Sequence, residues 1–382
     1  MSRLEKLIQQ LCLDRVEYRQ VGEVSQLLSP KLKVKSHSYL KVGKYPVIDQ
    51  GQDFIGGYTN EEDVFPDGEY VIFGDHTCIV KFVNFPFAQG ADGVKVIVPR
   101  DIVICKYLYY CMCSVKLCAS YTRHWSKIRA EKIPVPPLEV QQEIVRILDH
   151  FTELTAELTA ELTARKEQYK YYSLSLINHA VDIKEVPIRS LGTWRGGCTP
   201  SMENSAFWSD GNIPWVSSKD MKAPLLVDTQ DHITQEALSK TSIKLLPKNT
   251  VAIVARSGIL KHTLPVVFIP FETTVNQDIK ALTAAQNIEP RYAYHVLNAN
   301  SSNILQKTKK QGGTVDSLDI QKFMNYLVPV PPLPEQRRIV AILDRFDALC
   351  NDLTSGLPAE IAARQKQYEY YRDKLLTFKE KL

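Results

Sequence analysis

The chain has no long apolar run. No window of about 18 consecutive apolar residues occurs in its 382 positions, and mean hydropathy is −0.19, which excludes a membrane-spanning helix. The opening MSRLEKLIQQLCLDRVEYRQ is polar and helical in pattern, without an apolar h-region, so no secretory leader is expected. Paired Cys-x-x-Cys knuckles are missing. Eight cysteines at no framework spacing read as reduced thiols, and the expected location is cytoplasmic. Charge of one sign is missing too. Lys+Arg number 47 against 43 Asp+Glu, a net +4 that marks no nucleic-acid binder by itself and excludes none if charge is segregated. There is no Gly-rich nucleotide or S-adenosylmethionine loop, no P-loop and no Asn/Asp-Pro-Pro-aromatic tetrad, so no cofactor is expected. Cys105, Cys111, Cys113, Cys118 and His124 crowd one stretch. The cysteines fall in the apolar helical run 102–121, where packing is a better reading than a metal site. His76 has no nucleophile placed beside it, so no catalytic residue is expected.

What the chain does have is size and a repeat. Apolar residues make up 44% of a length that calls for two or three domains. Residues 133–151 read IPVPPLEVQQEIVRILDHF and 328–346 read VPVPPLPEQRRIVAILDRF, identical at twelve of 19 positions. RKEQYKYY (165–172) then matches RQKQYEYY (364–371) at five of eight. In both copies a Pro-Pro pair forces an extended approach, and a long helix follows. Ile144, Leu148, Phe151, Leu158, Leu162, Tyr169 and Tyr172 recur in alternating steps of three and four, or multiples of them. So do Ile339, Leu343, Phe346, Leu353, Tyr368 and Tyr371 in the second copy. A helix over 139–181 would span roughly 64 Å, more than a small domain's own core needs. The two helices are therefore expected to pack antiparallel along a coiled-coil-like seam. The first helix carries Thr155-Ala-Glu-Leu158 and Thr159-Ala-Glu-Leu162 units that keep leucines on one broad stripe. In the second copy, Gly356 and Pro358 predict a break, with Pro358 in the first turn of a new helix.

Two variable segments remain, both strand-rich and both ending in helical stretches near 101–120 and 290–308. Short β runs include Tyr70–Phe73, Val94–Val98, Val251–Val254 and Leu264–Ile269. The C-terminal helix followed by the N-terminus imitates the central helix followed by the second segment. The chain is circular in pattern, and its ends are expected to meet. The fold class is α+β: two pseudo-repeated, mainly β domains with helices, separated by two long helices in a circular pseudo-two-fold arrangement.

These residues (the paired PVPPL…Q…IV.ILD..F stretches, the TAEL units, and the RKEQYKYY and RQKQYEYY helix ends) resemble the specificity subunit of type I restriction-modification enzymes. The TAEL units and TSGLPAEI look like the type IC subfamily. The resemblance covers nearly the whole chain. It implies an N-terminal helix (1–14), a first target-recognition domain (15–138), a central conserved helix (139–184), a second recognition domain (185–333) and a C-terminal conserved helical region (334–382). It further implies that each domain reads half of a bipartite site in double-stranded DNA. The helices would hold two modification subunits, and restriction subunits would join the full complex. The subunit itself would not be catalytic. A stand-alone DNA-modifying enzyme and a protein-binding scaffold are the alternatives. The first would need cofactor or metal motifs, and the second would lack steep salt dependence with DNA.

Phosphate contacts give affinity and base contacts give sequence. Three basic groups are candidates for phosphate: Lys31, Lys33, Lys35, Lys41 and Lys44; Arg123, His124, Lys127 and Arg129; and Lys307, Lys309 and Lys310 with Gly312, Gly313 and Thr314. Candidate base readers in the first domain are Gln50, Gln52, Tyr58, Thr59, Asp75, His76 and Thr77. In the second they are Ser217, Ser218, Lys219, Asp220, Arg256, Ser257, Lys261, His262, Asn276 and Gln277. Arg256 can fork onto guanine or form a surface ion pair. Asn276-Gln277 can pair with adenine or cap a turn.

Overall fold

The computed structural model describes residues 2–12, 15–29, 32–90, 93–116, 123–310, 315–351 and 355–380. Lys31, Gly312, Gly313, Thr314, Leu353 and Cys118 lie outside them. The chain divides into two units, Met1–Glu157 with Ala362–Leu382, and Leu158–Ile361. The architecture is mixed helix and strand, with two sheet-rich domains and a long central helix, Leu138–Asn178.

In the first unit, strands Ser25–Leu28, Val94–Pro99, Tyr70–Gly74 and Val80–Val83 form an antiparallel sheet in that order. A second sheet orders Lys33–Val34, Ala88–Gly90, Tyr45–Ile48 and Gly57–Thr59. Ile48, Tyr70, Ile72, Val83, Phe87, Val94 and Val96 form a core of their own. In the second unit the antiparallel sheet runs Gly192–Gly196, Ile279–Ala284, Thr250–Val254 and Val266–Ile269. A smaller sheet runs Thr274–Val275, Ile213–Val216 and Asp231–Ile233. The two fully antiparallel sheets share one strand order, and the parallel–antiparallel pattern of the other sheet repeats from unit to unit as well.

Each unit also has a two-stranded ribbon leading to the proline repeat, Glu17–Gln20 with Lys132–Val135 and Lys184–Pro187 with Leu327–Val330. The prolines end each ribbon because they lack the N–H a further strand bond needs. Their carbonyls then start the helices: Pro137 accepts from Val140 and Gln141 N–H, and Pro332 from Glu335 and Gln336 N–H. The second-copy helix runs Leu333–Asn351. A new one, Leu357–Leu375, has Pro358 in its first turn, where no N–H partner is required.

The chain ends meet in the first unit. Val16 N–H donates to Lys379 O at 3.0 Å, and Tyr18 hydroxyl to Phe378 O at 3.0 Å. There the strand that in the second unit follows directly from the central helix is instead joined to the C-terminal segment by hydrogen bonds. Within the second unit, Tyr172 stacks on Phe346 at 6.2 Å while Arg165 and Lys166 act on Cys350, so those helices run antiparallel. Phe151 stacks on Tyr371 at 5.3 Å in the first unit. The expected seam residues do more than face another helix. Ile144 and Leu148 enter one cluster with Tyr107, Leu108, Tyr368 and Leu376, and Ile339 and Leu343 join Tyr292 and Ile177 in another. Tyr169 bonds the ring of His295, on the helix Pro290–Ala299. Leu158 and Leu162 are half-buried and Tyr172 is exposed.

Candidate nucleic-acid interface

In the first unit a turn at 75–78 follows strand Tyr70–Gly74, and three other segments close on it. Asp75 N–H donates to Gly93 O, its carbonyl accepts from His124 N–H, and its carboxylate accepts from Trp125 N–H at 2.7 Å. Lys95 lies 3.8 Å from the same carboxylate. Gln50 Oε1 accepts from His76 N–H at 3.3 Å, and Gln50 O from Thr77 hydroxyl at 2.8 Å. One edge therefore gathers Gln50, His76, Thr77 and the basic segment holding Arg123, Lys127 and Arg129. Thr77, Arg123, Lys127, Arg129 and Gln52 are exposed.

The second unit builds the corresponding edge. Ala255 N–H donates to Asp278 O, as Asp75 does to Gly93. Asn276 N–H donates to Val216 O, and Ser257 N–H to Asp316 O. Segments 216–220, 255–262, 276–278, 309–310 and 315–318 thus come together. A cleft of about 540 Å³ among them is lined by Leu260, Lys261, His262, Lys309, Lys310 and Asp316. Lys261, His262, Lys307 and Lys310 are exposed, and Lys219 and Gln277 stand on the same group of loops. Lys309 is engaged internally, with Asp316 at 3.0 Å and Leu260 O at 3.1 Å.

Six expected contacts turn out to be buried: Thr59, Asp75, His124, Ser217, Asp220 and Asn276. Their polar groups hold loops, because a buried polar atom must find a partner inside the protein. Thr59 Oγ1 accepts from Glu61 N–H, and Asn276 Oδ1 from Asp278 N–H, so the turn-capping alternative for Asn276 is the one the structure displays. Asp220 Oδ2 accepts from both the N–H and hydroxyl of Ser217, and Oδ1 from Gln230 N–H. Arg256, which is exposed, pairs with Asp278 at 2.7 Å. Ser257 hydroxyl caps the short turn that begins at Gly258, and Ser218 is half-buried.

The first lysine group lies on the smaller sheet and its loops. Lys33, Lys35 and Lys41 are exposed. Lys44 bonds Glu62 at 3.0 Å, which raises its pKa. Tyr58 is half-buried and exchanges backbone bonds with Leu40. One cation escaped the sequence reading altogether. Lys81 is buried beneath segment 49–54, and only the strand register marks it out. Of the clustered cysteines, Cys105 and Cys111 are buried in the core and Cys113 is half-buried; burial pushes the Cys105 thiol up to about 12. Among the described residues no group of His, Cys, Asp and Glu could hold a metal ion, and no helix is long and apolar enough to cross a membrane.

Comparison with known proteins adds a family. Residues 14–167 and 180–363 match the model of the type I restriction modification DNA specificity domain, once per unit of the sequence repeat. The chain is 42% identical over 396 residues to the type I restriction enzyme EcoR124I/EcoR124II specificity subunit of Escherichia coli, covering 99% of this chain and 97% of that protein. Its fold is similar to the type I restriction-modification S subunit from M. genitalium, with TM-score 0.57, 15% identity, and coverage of 95% and 96%. A second solved chain, from work on complex assembly of the type I R-M system, aligns with TM-score 0.60 at 15% identity, covering 95% and 97%.

Proposed function

The chain belongs to the type I restriction-modification specificity subunits, which recognise the DNA target, and from that premise we propose how it divides the work. Each unit reads one half of a bipartite duplex site through the loop edge described above. The reading rests on one observation: the two units share strand order and register yet carry different side chains at the same edge. The chain itself is not catalytic. It acts in the cytoplasm, with two modification subunits held by the conserved helices and restriction subunits completing the complex. The exposed cations Arg123, Lys127, Arg129, Lys261, Lys307 and Lys310 contact phosphate. Gln52, Thr77, Lys219, Arg256 and Gln277 are the side chains available to base edges, Arg256 by exchanging Asp278 for guanine.

The central helix sets the spacer between half-sites. Its TAEL units lie where the chain passes from one unit to the other, between Glu157 and Leu158. Four residues add about 6 Å and about 40° of turn. One base pair adds about 3.4 Å and roughly 34–36°. Rotation weighs more, because a reader turned off its groove loses its base edges. Deleting Thr159–Leu162 is therefore expected to shorten the spacer by one base pair with both half-sites unchanged. Mapping methylated sites for parent and deletion in one host tests this. An unchanged spacer would make the helix a support and not a ruler.

A further inference from the structure

We propose that Lys81 is the positioning residue for segment 49–54, and through it for base discrimination by the first unit; this rests on the reading of that segment as part of the DNA-facing edge.

The argument begins from register. Lys81 lies opposite Ile72 in the sheet of the first unit, and Val267 lies opposite Ala252 in the sheet of the second. The flanking pairs match, so Lys81 occupies the place of a core valine that is 1% exposed. Lys81 is itself only 5% exposed. A buried ammonium is strongly unfavourable unless its donors are satisfied. Here they are: Nζ donates to Asp49 O at 2.8 Å and Asp53 O at 2.6 Å, with Phe54 O at 3.5 Å and the Asp49 carboxylate at 3.8 Å. All three carbonyls belong to the loop that follows strand Tyr45–Ile48.

The loop is packed tightly around the same point. A Cβ on Gly56 would meet the Asp49 carboxylate at 2.4 Å, and one on Gly90 would meet Asp49 Cβ at 2.6 Å. Asp49 Oδ1 also accepts from Gly51 N–H at 2.8 Å. Burial pulls the Lys81 pKa down, while Asp49 and Asp53 pull it back up. The second unit secures the equivalent segment with the opposite charge. There the buried Asp220 carboxylate gathers the N–H groups of Ser217 and Gln230. One unit holds its loop by a cation on carbonyls, the other by an anion on amides. Lys81 presents no charge to solvent and so touches no phosphate. Its effect reaches DNA through Gln50, which bonds His76 and Thr77, and through exposed Gln52.

The test uses the full chain assembled with its modification subunits, carrying Lys81→Val, the residue of the sister unit, or Lys81→Met. Methylation mapping should show discrimination falling roughly tenfold at one or two positions of a single half-site. Amides of 49–56 should exchange faster, and the slope of log K against log salt should not change. Undiminished discrimination would overturn the proposal. So would a slope lower by about one with a uniform loss across sequences, which marks a phosphate contact. Loss of both half-sites together would make Lys81 a residue of the general fold and overturn it as well. Gln50→Ala and Gln52→Ala separate the two layers. If neither relaxes the half-site, the reading of the segment fails and the proposal with it. If they relax it and Lys81→Val does not, the Lys81 proposal fails alone.

Discussion

The two junctions where a sheet domain meets the conserved helices solve one problem with different chemistry. Gln141 and Gln336 behave alike. Gln141 Oε1 accepts from Ile104 N–H while its amide donates to Ile102 O and Pro136 O. Gln336 repeats all three bonds, to Glu289 N–H, Asn287 O and Pro331 O. Tyr107 and Tyr292 hydroxyls then donate to Pro134 O and Pro329 O. About two helical turns further on, the junctions part. In the first unit Asp149 accepts from Tyr110 hydroxyl at 2.6 Å and pairs with Lys106 at 2.9 Å. In the second, Asp344 meets His295 Nε2 at 2.6 Å and Arg291 at 2.6 Å, with Asp347 at 3.3 Å from the same guanidinium. A carboxylate only accepts, so Nε2 donates to it, and Nδ1 lies 3.1 Å from the Tyr169 hydroxyl of the central helix. Arg291 also lies over the Phe268 and Tyr294 rings. The backbone clamp is fixed and the charge layer above it is free to vary.

The comparison can be broken first at the clamp. Gln141→Ala and Gln336→Ala each strand one buried and two part-buried backbone groups, so each should cost about 2 kcal/mol. Chemical denaturation should find the two costs equal, with amide exchange placing each in its own unit. Unequal costs would show that the clamps are not equivalent.

The charge layer should separate the units. Asp344→Asn should cost about 2 kcal/mol and Asp149→Asn about 1, because only Asp344 joins Arg291 and His295 at once; both figures are reduced for partial exposure. The same denaturation series checks the ranking. Acid sharpens it. Burial raises the Asp344 pKa, but bonds from His295 and Arg291 outweigh it and hold the carboxyl below its usual value. The unfolded chain therefore binds that proton more readily. The stabilisation is complete above about pH 4 and is lost as pH falls further. The gap between parent and Asp344→Asn should close over that range, and a gap that widened in acid would refute the assignment. The smallest effect should come from Tyr110→Phe, about 0.5 kcal/mol for one hydroxyl bond to a partly exposed carboxylate.

The sequence was most legible where chemistry is local. Pro136-Pro137, Pro331-Pro332 and Pro358 punctuate the helices by their missing N–H, so helix starts and the second-copy break could be read directly. The β runs around Val71, Val96, Ile253 and Phe268 followed from residue type. Polar roles at the edge were not local. Asp75 serves Trp125, 50 residues away, and Arg256 pairs with Asp278, 22 away, so neither partner shows in a window of sequence. Lys81, in Val80-Lys-Phe-Val83, has the alternation of an ordinary solvent-facing lysine, and only the register set by strand pairing reveals it as a core position.

The central claim is that the two units read independently, each on its own clamp of the same design. It is tested most directly by replacing residues 185–327 with the corresponding segment of another specificity subunit and mapping the methylated sites of the assembled complex. The account predicts that one half-site changes while the other half-site and the spacer stay. A change in both half-sites, or in neither, would contradict it.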